Sequence, residues 1–507
     1  MDTDILKSFT SLENDSLKII KGSLYFAIPG LRFDGHDYIR DAIERGAKGI
    51  VHERELDEYQ KDIFYLKKNN TRISMSAIAD AYYDYPSRRM GIIGVTGTEG
   101  KSTTVYLIYQ LLKLLGKRAG FISTVQYCDG IDEIWNSEHQ TTPEAPVIHR
   151  LLAEMLKNGA EYAVVESSSH GLSKRTMRLG HVDFDVGVMT NVNHEHLEFH
   201  GTWEQYRSDK AELFRALDLS PSSHRKLGPK GDLAVPSFAV INADDKSKDY
   251  FSAAAKHNFL SFSTRGDDAD LSIKNMQSES SGNTYELYDK LTGSCFTISD
   301  KLPGAFNAGN VLASLLVVSR LLPVELQKLI PLVPCLKAVR GRMNRIDRGQ
   351  PFDVIVDYAH SPSSFEAVFV PLREKLKKTG AKLISLFGSA GERDTQKRPL
   401  QGEIAARNSD IVILCDEDPR GEDSQLILEE IAKGCLSCSH MLRDKSLFLI
   451  PKRPDAIRKA ISLARPGDLV LLLGKGHENS IIYPGGPVAY DEISEAEKAL
   501  DERGRFN

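Results

Sequence analysis

One short segment limits the possible folds of this chain more than any other. The sequence GTEGKST at 97–103 follows an apolar run at 90–95, which predicts a buried strand, and precedes apolar residues at helical spacing over 104–115. A glycine-rich turn between a strand and a helix directs backbone N–H groups and the positive helix end toward a phosphate. Lys101 adds a positive charge, and the hydroxyl group that follows it can bind Mg²⁺. The segment therefore predicts an α/β fold that binds ATP.

The loop departs from the usual phosphate-binding pattern at one position. That pattern has a glycine five residues before its final glycine, whereas this chain has Val95. A glycine-rich turn that binds nothing is the alternative interpretation. The glycines, the lysine and the hydroxyl residues nevertheless all fall in register with a phosphate loop. The ATP-binding residues predicted in the loop are Gly97, Thr98, Gly100, Lys101, Ser102 and Thr103.

Length and composition set the number of domains and exclude several classes of protein. At 507 residues, of which 41% are hydrophobic, the chain is too long for one core, and we expect about three domains. The net charge of −5 leaves no basic excess for binding nucleic acid. The N-terminus lacks an apolar signal segment, and no window approaches the ~20 apolar residues of a membrane span. We therefore predict a cytoplasmic protein with neither nucleic-acid binding nor membrane insertion.

Changes in pattern along the chain indicate three α/β domains. Residues 1–88 alternate short apolar runs with turn signals, and the stretch 82–87 is typical of a linker. Residues 89–329 alternate strands and helices, as in a mostly parallel, phosphate-loop ATPase-like sheet covered on both faces. Residues 330–507 repeat this alternation and predict a Rossmann-like α/β domain.

Local composition also predicts individual elements. A helix is predicted at 38–45, an exposed loop at 220–236, where Ser, Pro, Gly and Lys are frequent, and a β-hairpin at 270–300. Apolar runs predict strands at 90–95, 162–166, 184–192, 238–243, 352–356, 382–387, 410–414 and 469–473.

Four of the C-terminal strands lead into polar, glycine-containing or acidic segments. These segments lie at 357–360, 388–391, 416–420 and 474–478. In open α/β sheets the ligand crevice lies beyond the carboxyl ends of the strands, so the four endings predict a second binding site.

Two metal-binding patterns deserve separate interpretation. Glu166 ends a predicted strand across the sheet from the phosphate loop, where a Mg²⁺ ligand would lie, although a surface glutamate would give the same pattern. His194, His196 and His200 raise the alternative of a zinc site, but neither a cysteine nor a helical HExxH accompanies them. The single CxxC at 435–438 has no second pair, so we predict reduced thiols there.

Eleven short motifs occur in order along the chain: GTEGKST, TTP at 141–143, ESSSHGL, TNVNHEHLEFHGT, SDKAELF, LPGAFNAGN, VRGRM, DYAHSP, FGSAGERDTQKRP, DEDPR and GKGHE. Together they resemble the motifs of the Mur ligases, and the match covers nearly the whole chain. The resemblance implies three α/β domains, which bind a UDP-sugar, ATP and an incoming amino acid. It also implies an ATP-dependent ligase of peptidoglycan biosynthesis that adds a diamino acid to UDP-N-acetylmuramoyl-L-alanyl-D-glutamate.

The resemblance further implies a mechanism. ATP converts a carboxylate to an acyl phosphate, and an amine then attacks to form the amide, which requires positioning and charge neutralisation. By resemblance, the catalytic residues are Lys101, Glu166, His196 and Lys210, and two Mg²⁺ ions are bound, one by Ser102 and Glu166 and one by His196 and Lys210. Lys210 would be carbamylated, because only the carbamate can ligate a metal. The alternative is an ordinary solvated lysine on a helix.

Other substrate-binding residues follow from the same resemblance. The additional nucleotide-binding residues are Asn310, Arg342, Asp357 and His360, and the UDP-sugar peptide residues are Ser16, Thr141, Thr142, Ser168, and Arg175 or Arg178. Two extra residues after HGL leave open which of the two arginines contacts the sugar peptide. Leu17 replaces the arginine that the family has after its Asp-Ser pair, so the resemblance does not extend to that arginine's part of the uridine contact.

The predicted amino-acid pocket departs from the family pattern in one informative residue. Its members by resemblance are Arg393, Asp418, Arg420, Gly474 and Glu478. Enzymes selecting meso-diaminopimelate have Asn-Pro-Arg, whereas here Asp418 replaces that Asn. A negative charge repels a distal carboxylate and attracts a distal ammonium, which favours L-lysine or L-ornithine, although diaminopimelate stays open. The alternative is that Asp418 pairs with Arg420 and leaves the pocket neutral.

Two other functions compete with this hypothesis. Folylpolyglutamate synthetases share the phosphate loop and the domain plan but lack a UDP-sugar domain, so residues 1–88 argue against them. A regulatory nucleotide-binding protein without ligase activity would be expected to lack some of the catalytic residues, and they are all present. We expect a monomer whose partners are the sugar peptide and a free diamino acid.

Overall fold

The computed structural model describes residues 3–30, 33–136, 141–193, 197–217, 224–266, 268–279 and 282–504. It contains two compact units, which are described separately. The first comprises residues 1–275, 286–298 and 308–333, and the second comprises residues 276–285, 299–307 and 334–507.

The N-terminal part of the first unit is a small parallel sheet with helices. Its strands, in spatial as in chain order, are β1 (Leu12–Glu13), β2 (Leu24–Phe26), β3 (Gly49–His52) and β4 (Phe64–Lys67). Its helices are α1 (Thr3–Lys7), α2 (Ile39–Glu44) and α3 (Thr71–Tyr82). The predicted helix at 38–45 is confirmed as α2. The predicted linker is more ordered than expected, because α3 extends into it and a 3₁₀ turn, Pro86–Arg89, ends it.

A large sheet forms the centre of the first unit. The strands of this part of the chain are β5 (Gly91–Thr96), β6 (Ala119–Ile122), β7 (Gln126–Cys128), β8 (Glu133–Trp135), β9 (Tyr162–Glu166), β10 (Val186–Met189), β11 (His224–Gly228), β12 (Gly231–Val235), β13 (Phe238–Asn242), β14 (Phe259–Ser263), β15 (Leu271–Glu279), β16 (Gly282–Asp289) and β17 (Ser294–Ser299). Among the described residues, the sheet order is β17-β16-β15-β14-β13-β10-β5-β9-β6-β7-β8. Every residue of β5 is buried, because β5 pairs in parallel with β9 and β10 and both sheet faces are covered.

Helices cover this sheet on both faces. They are α4 (Lys101–Leu114), α5 (Ala145–Lys157), α6 (Ser169–Leu172), α7 (Leu197–His200), α8 (Trp203–Arg215), α9 (Lys248–Ala254), α10 (Phe306–Leu321) and α11 (Leu326–Leu329). In the described parts of the chain, no single helix is long and apolar enough to cross a bilayer, and only α10 taken together with Leu326–Cys335, across a 120° bend, meets the criteria of length and composition.

Two sequence predictions in this region are wrong about the elements present, although residues 227, 229–232 and 234 of the predicted exposed loop are exposed. The predicted exposed loop at 220–236 contains the antiparallel pair β11 and β12 within its described residues. Its Lys226 is buried, and the Lys226 ammonium lies 2.6 Å from Asp185 and also donates to main-chain carbonyls. This lysine therefore attaches β11 to the rest of the unit and is not a solvated loop residue. The predicted hairpin at 270–300 consists of three strands that extend the large sheet, because β15 pairs in parallel with β14 through Leu271 and Phe262.

The second unit is a Rossmann-like layer of strands and helices. Its strands are β18 (Asn344–Ile346), β19 (Asp353–Asp357), β20 (Leu383–Phe387), β21 (Ile411–Leu414), β22 (Leu447–Leu449), β23 (Leu469–Leu473), β24 (Ser480–Tyr483) and β25 (Gly486–Ala489). Its helices are α12 (Pro362–Thr379), α13 (Lys397–Asn408), α14 (Ser424–Cys435), α15 (Arg453–Leu463) and α16 (Glu492–Gly504). The main sheet has the order β18-β19-β23-β20-β21-β22, and only β18 is antiparallel to its neighbour.

The sheet order of the second unit brings the four predicted strand endings together. β19, β23, β20 and β21 are consecutive neighbours and run in parallel, so their carboxyl ends meet at one edge. The sequence prediction of a second crevice at this edge is consistent with that order.

Candidate active site

The phosphate loop lies between β5 and α4, as its sequence predicts. Gly100 precedes the helix with φ 78°, and a Cβ atom there would lie 2.5 Å from Asn310 Oδ1. Asn310 also accepts a hydrogen bond from Thr104 on α4, at 3.1 Å. Lys101 Nζ donates to the main-chain oxygens of Gly97 and Thr98, at 3.1 and 2.8 Å. The Lys101 ammonium group thus lies within the loop, at the N-terminus of α4.

The end of the neighbouring strand β10 holds this loop in place. Thr98 N–H donates to Asn191 O at 2.8 Å, and Glu99 N–H donates to the Asn191 side chain at 2.9 Å. Thr190 Oγ1 donates to Glu99 O at 2.5 Å. The acceptors in two of these bonds and the donor in the third belong to the segment after β10, so the loop's conformation depends on two strands rather than on its glycines alone.

Glu166 and Ser102 form an oxygen-donor pair beside the loop. Glu166, 2% exposed at the end of β9, accepts a hydrogen bond from Ser102 Oγ at 2.8 Å. Thr124 holds the same carboxylate through its N–H at 2.8 Å and its hydroxyl at 3.0 Å. A carboxylate and a hydroxyl are the ligands that Mg²⁺ prefers, so these two residues fit a magnesium ion.

Lys210 lies in the interior and not in solvent. It is 1% exposed, its ammonium donates to Gly97 O at 2.6 Å, and it lies 4.5 Å from the centre of the Tyr206 ring. The alternative of a solvated helix lysine is therefore wrong. An ammonium has no lone pair for a metal, so only a modified Lys210 fits that role. His196 and His194 lie outside the described residues.

His200 occupies a different environment from that of a metal ligand. Its Nδ1 lies 2.7 Å from Asp209 Oδ2 and its Nε2 lies 3.0 Å from Ser169 Oγ, and all three side chains are buried. Within the described ranges, no group of three or more His, Cys, Asp or Glu side chains could hold a metal ion. His200 thus connects α8 with the segment after β9.

The structure brings the predicted sugar-peptide residues Thr142, Ser168 and Arg178 together. The hydroxyls of Thr142 and Ser168 are 2.8 Å apart. Arg178 donates to Thr142 O at 3.1 Å and forms an ion pair with Glu144 at 3.0 Å. Arg175 points elsewhere: it donates to Phe199 O at 2.6 Å and lies over the Phe199 ring. Of the two arginines left open by the sequence, Arg178 is the one beside Thr142.

The remaining sugar-nucleotide positions are separate from this group. Thr141 directly precedes Thr142 and is partly buried, and Ser16 begins a 3₁₀ turn at Ser16–Lys18 and is buried. A cleft of about 370 Å³ opens in the N-terminal part of the chain, lined by Pro29, Asp34, His36, Glu53, Arg54 and Asn69. Arg54 and His36 both contact the Asp34 carboxylate, at 2.5 and 2.7 Å.

In the second unit, three predicted nucleotide residues surround Tyr358. The Arg342 guanidinium lies 4.7 Å from the centre of the Tyr358 ring, and the His360 ring lies 4.8 Å from it. Asp357 accepts hydrogen bonds from the N–H groups of Met343 and Ala359, at 2.7 and 2.8 Å. Burial raises the pKa of the Asp357 carboxyl, and the charge of Arg342 opposes this effect.

The predicted amino-acid pocket contains a buried ammonium group. Lys475 donates to Asp418 at 2.8 Å and also pairs with Glu478. The alternative ion pair between Asp418 and Arg420 is not found, and the buried Nε of Arg420 has no hydrogen-bond partner. Glu417 is buried, and its Oε2 has no partner.

The two other predicted members of this pocket are Gly474 and Arg393. A Cβ atom at Gly474 would lie 2.9 Å from Glu417 Oε2, so the glycine leaves space beside this buried oxygen. Arg393 is exposed. Burial, and after it the charge of Arg342, lowers the pKa of the neighbouring His477, which keeps this ring neutral at physiological pH.

Family models match three consecutive segments of the chain. Residues 8–83 match the Mur ligase family catalytic domain, residues 95–318 the Mur ligase middle domain and residues 341–476 the Mur ligase glutamate ligase domain. A UDP-N-acetylmuramyl-tripeptide synthetase of Treponema denticola is 50% identical over 495 residues, which cover 96% of this chain and 91% of the relative. This chain belongs to the Mur ligase family.

Further relatives agree with this assignment. The Treponema pallidum UDP-N-acetylmuramyl-tripeptide synthetase is 47% identical over 97% of this chain and 93% of the relative. A solved UDP-N-acetylmuramoyl-L-alanyl-D-glutamate–2,6-diaminopimelate ligase is 28% identical, with a TM-score of 0.62 over 98% of this chain and 95% of that chain. A folylpolyglutamate synthase of Mycobacterium tuberculosis shares only the fold, at 16% identity and a TM-score of 0.59, covering 85% of this chain and 94% of that chain.

Family membership confirms the coarse predictions. This Mur ligase has the three-domain α/β architecture with a mostly parallel central sheet, and it is an ATP-dependent amide ligase of peptidoglycan synthesis. Mur ligases use ATP and Mg²⁺.

Sequence reasoning missed several residues of this Mur ligase's site. Lys475 lies inside the motif GKGHE, but its charge pairing depends on β21 and β23 being two strands apart in the sheet. Glu417 could have been noticed as one of three consecutive acidic residues after β21. Thr124 and Glu144 lie in no distinctive pattern, and their contacts with Glu166 and Arg178 follow only from the fold.

Proposed function

We propose that this Mur ligase joins a diamino acid, with L-lysine or L-ornithine favoured over meso-diaminopimelate, to UDP-N-acetylmuramoyl-L-alanyl-D-glutamate. The names of the relatives support the sugar-peptide acceptor. The observation that carries the proposal is the phosphate loop with Lys101, next to the buried Ser102 and Glu166 pair. This arrangement supports transfer of a γ-phosphoryl group rather than nucleotide binding alone.

The proposed reaction has two steps. An oxygen of the acceptor carboxylate bonds to the γ-phosphorus of ATP, the bond to the β-phosphate oxygen breaks and ADP leaves. The neutral amine of the diamino acid then attacks the acyl carbon and loses a proton to solvent, and phosphate leaves with the carboxyl oxygen it had bonded. Lys101 would orient the β- and γ-phosphates and offset their charge, while Asn310, Arg342, Asp357 and His360 would bind the remainder of the nucleotide.

We propose two magnesium positions, which would neutralise charge on the phosphates during transfer. Ser102 and Glu166 would hold one ion, and His196 with carbamylated Lys210 would hold the other. The buried position of Lys210 beside Gly97 O supports its role near the phosphates, because a solvent-exposed lysine has no such proximity.

The charge of the amino-acid pocket supports a cationic side chain. Glu417, Asp418 and Glu478 supply three carboxylates, whereas two cations accompany them, the Lys475 ammonium that pairs with Asp418 and Glu478, and the Arg420 guanidinium. The unpartnered oxygen of Glu417 can accept a hydrogen bond from a second ammonium but not from a carboxylate. Arg393 would bind the α-carboxylate, Glu478 the α-ammonium, and Asp418, Arg420 and Gly474 would border the side chain.

The sugar peptide is proposed to contact both the N-terminal and central parts of the chain. Thr141, Thr142, Ser168 and Arg178 would bind the peptide end, and Ser16 with the cleft near Asp34 would bind the uridine end. We also propose a monomer with domain boundaries near residues 88 and 329, which sedimentation and limited proteolysis can test.

Release of phosphate from ATP tests the function directly. We expect release only when the sugar peptide and a diamino acid are both present, with lysine or ornithine giving the highest kcat/KM. In Asp418→Asn, discrimination against diaminopimelate should decrease by about tenfold, because a distal carboxylate no longer meets that charge. A wild-type preference for diaminopimelate would contradict the proposed specificity, and turnover without the sugar peptide would contradict the ligase assignment.

A further inference from the structure

A buried arginine connects the two strand ends that carry the amino-acid pocket. Arg453, the first residue of α15, has no exposed surface. Its Nη1 donates to Asp416 O at 3.1 Å, and its Nη2 donates to Leu473 O at 2.6 Å. Asp416 follows β21, and Leu473 ends β23, so one guanidinium bridges two strands that are not adjacent in the sheet.

Glu492, the first residue of α16, fixes the orientation of this guanidinium. Its Oε2 accepts from Arg453 Nε at 2.8 Å and its Oε1 accepts from Nη2 at 2.6 Å, and both side chains are fully buried. Tyr490 donates a further hydrogen bond to the same carboxylate. A buried ion pair is weak evidence for stability, because desolvation offsets much of the attraction. A contribution of the ion pair to stability therefore does not explain why Arg453 also contacts the two strand ends.

The two carbonyl groups held by Arg453 immediately precede the pocket. Glu417 and Asp418 follow Asp416, and the segment 474–478, with Lys475 and Glu478, follows Leu473. The bridge thus fixes the separation between the two segments that carry the pocket's carboxylates. Lys475 connects the same two segments from inside the pocket, through Asp418 and Glu478.

We propose that Arg453 and Glu492 are positioning residues that determine which length of diamino acid the pocket accepts. The inference rests on the proposed function, since the two ammonium groups of a diamino acid must reach carboxylates on separate segments. Lysine and ornithine differ by one methylene group, and a site can distinguish them by length only if the carboxylates are held at a constant separation. Small displacements of positioned groups reduce rates strongly.

The test compares Arg453→Lys and Glu492→Gln with a matched control, Arg458→Lys. Arg458 also joins α15 to α16 through a two-bond pairing, with Glu502 at 2.8 and 3.2 Å, but it is partly exposed and makes no contact with a strand end. In Arg453→Lys the positive charge is kept, but an ammonium cannot make the four hydrogen bonds that the planar guanidinium makes to Glu492 and the two strand ends. Steady-state constants are measured for ATP, sugar peptide, lysine, ornithine and diaminopimelate, below the unfolding temperature of each variant.

We expect R453K and E492Q to raise KM for the diamino acid by about 10- to 100-fold and to reduce the preference between lysine and ornithine by at least about threefold. KM for ATP and for the sugar peptide should change by less than about threefold, and R458K should match the wild type. An unchanged preference, or an equal loss for all three substrates, would overturn the inference. If the wild type prefers diaminopimelate, the proposed specificity is wrong. The positioning role of Arg453 is then tested by comparing the same variants with the wild type on diaminopimelate.

Discussion

Lys101 is the residue on which the proposed phosphate site depends most. Its ammonium donates to the carbonyls of Gly97 and Thr98, so its charge lies within the loop that we propose binds the phosphates. We expect Lys101→Met to lower kcat/KM for ATP by about 10²–10³, because the charge on the transferred phosphoryl group loses a compensating cation. Phosphate release under steady-state conditions measures this effect.

Lys113 provides a control for that substitution on the same helix. It lies in the last turn of α4 with its side chain largely exposed, 3.9 Å from Glu133. Lys113→Met should leave the rate within about twofold of the wild type, since exposed ion pairs contribute little. Equal rates for the two variants would exclude a phosphate-binding role for Lys101.

A second prediction at the residue scale concerns Asp80, which is buried between α3 and α5. Burial raises the pKa of Asp80 to about 6, and its Oδ1 has no hydrogen-bond partner, although it lies 3.5 Å from His149 Nδ1. Burial also lowers the pKa of His149 to about 4, so this ring is neutral above that pH. The folded state therefore disfavours the ionised Asp80, and the contribution of Asp80 to stability decreases as pH rises from about 4 through about 6. The contribution of His149 has the opposite sign and increases as pH rises from about 4 to about 6.5.

Asp80→Asn should remove this penalty. Relative to the wild type, we expect its free energy of unfolding to change little near pH 4 and to be higher by about 2–3 kcal/mol at pH 8, a net figure that already includes the attraction of Asp80 to Arg88. Asp84→Asn is the control, because Asp84 is exposed and should show no such pH-dependent gain. Urea unfolding at both pH values gives the comparison, and a gain that is the same at pH 4 and pH 8 would show that ionisation is not the cause.

At the scale of single residues, the sequence predicted which residues belong to a site better than it predicted which residues they contact. Asp418 was predicted as a charged pocket residue, but the sequence suggested Arg420 as its possible partner because the two are close along the chain. The partner is Lys475, which lies 57 positions away and approaches through the sheet order. Ion pairs of this kind depend on tertiary contacts that a linear pattern does not contain.

At the scale of elements, the N-terminus of α4 allows a prediction with an internal control. Gly100 and Gly116 flank the helix with nearly equal φ values of 78° and 74°, so an alanine at either position has similar backbone strain, about 1 kcal/mol. Only at Gly100 would the added Cβ meet another group, Asn310 Oδ1 at 2.5 Å, whereas nothing lies within 4 Å at Gly116.

We therefore expect Gly100→Ala to weaken ADP binding by about tenfold or more, because Asn310 and the loop must separate, while Gly116→Ala binds normally. Calorimetric titration with ADP measures the affinity, and thermal unfolding measures the strain that both variants share. If G100A binds ADP as tightly as G116A, the loop is not held in the way that the Asn310 contact indicates.

Elements with continuous apolar runs were predicted well, and elements with mixed composition were not. The runs ending at Glu166 and Leu473 correspond to strands with those same ends, because parallel strands covered on both faces leave an unambiguous pattern. The pair β11 and β12 was missed because its lysine is buried by an ion pair with Asp185, which composition alone cannot indicate. The segment 270–300 was predicted to form a β-hairpin, since the pairing of β15 with β14 is not visible in the sequence.

At the scale of the whole molecule, the order of motifs was sufficient to predict the family and the three-domain fold. The predicted chemistry follows from loops at the ends of neighbouring strands: the phosphate loop after β5, Glu166 at the end of β9 and Thr190 after β10. The identity of the diamino acid could not be predicted to the same depth. We propose that it depends on Glu417, whose Oε2 has no partner, and on Lys475, whose partners Asp418 and Glu478 only the folded chain determines.

The central claim is that ATP activates the acceptor carboxyl group of the sugar peptide by phosphorylating it. The most direct measurement uses sugar peptide labelled with ¹⁸O in that carboxyl group, together with ATP and the preferred diamino acid. Because the carbon–oxygen bond to phosphate breaks when the amine attacks, one labelled oxygen should appear in each inorganic phosphate released. Phosphate released without label, at the same rate as amide formation, would contradict the account.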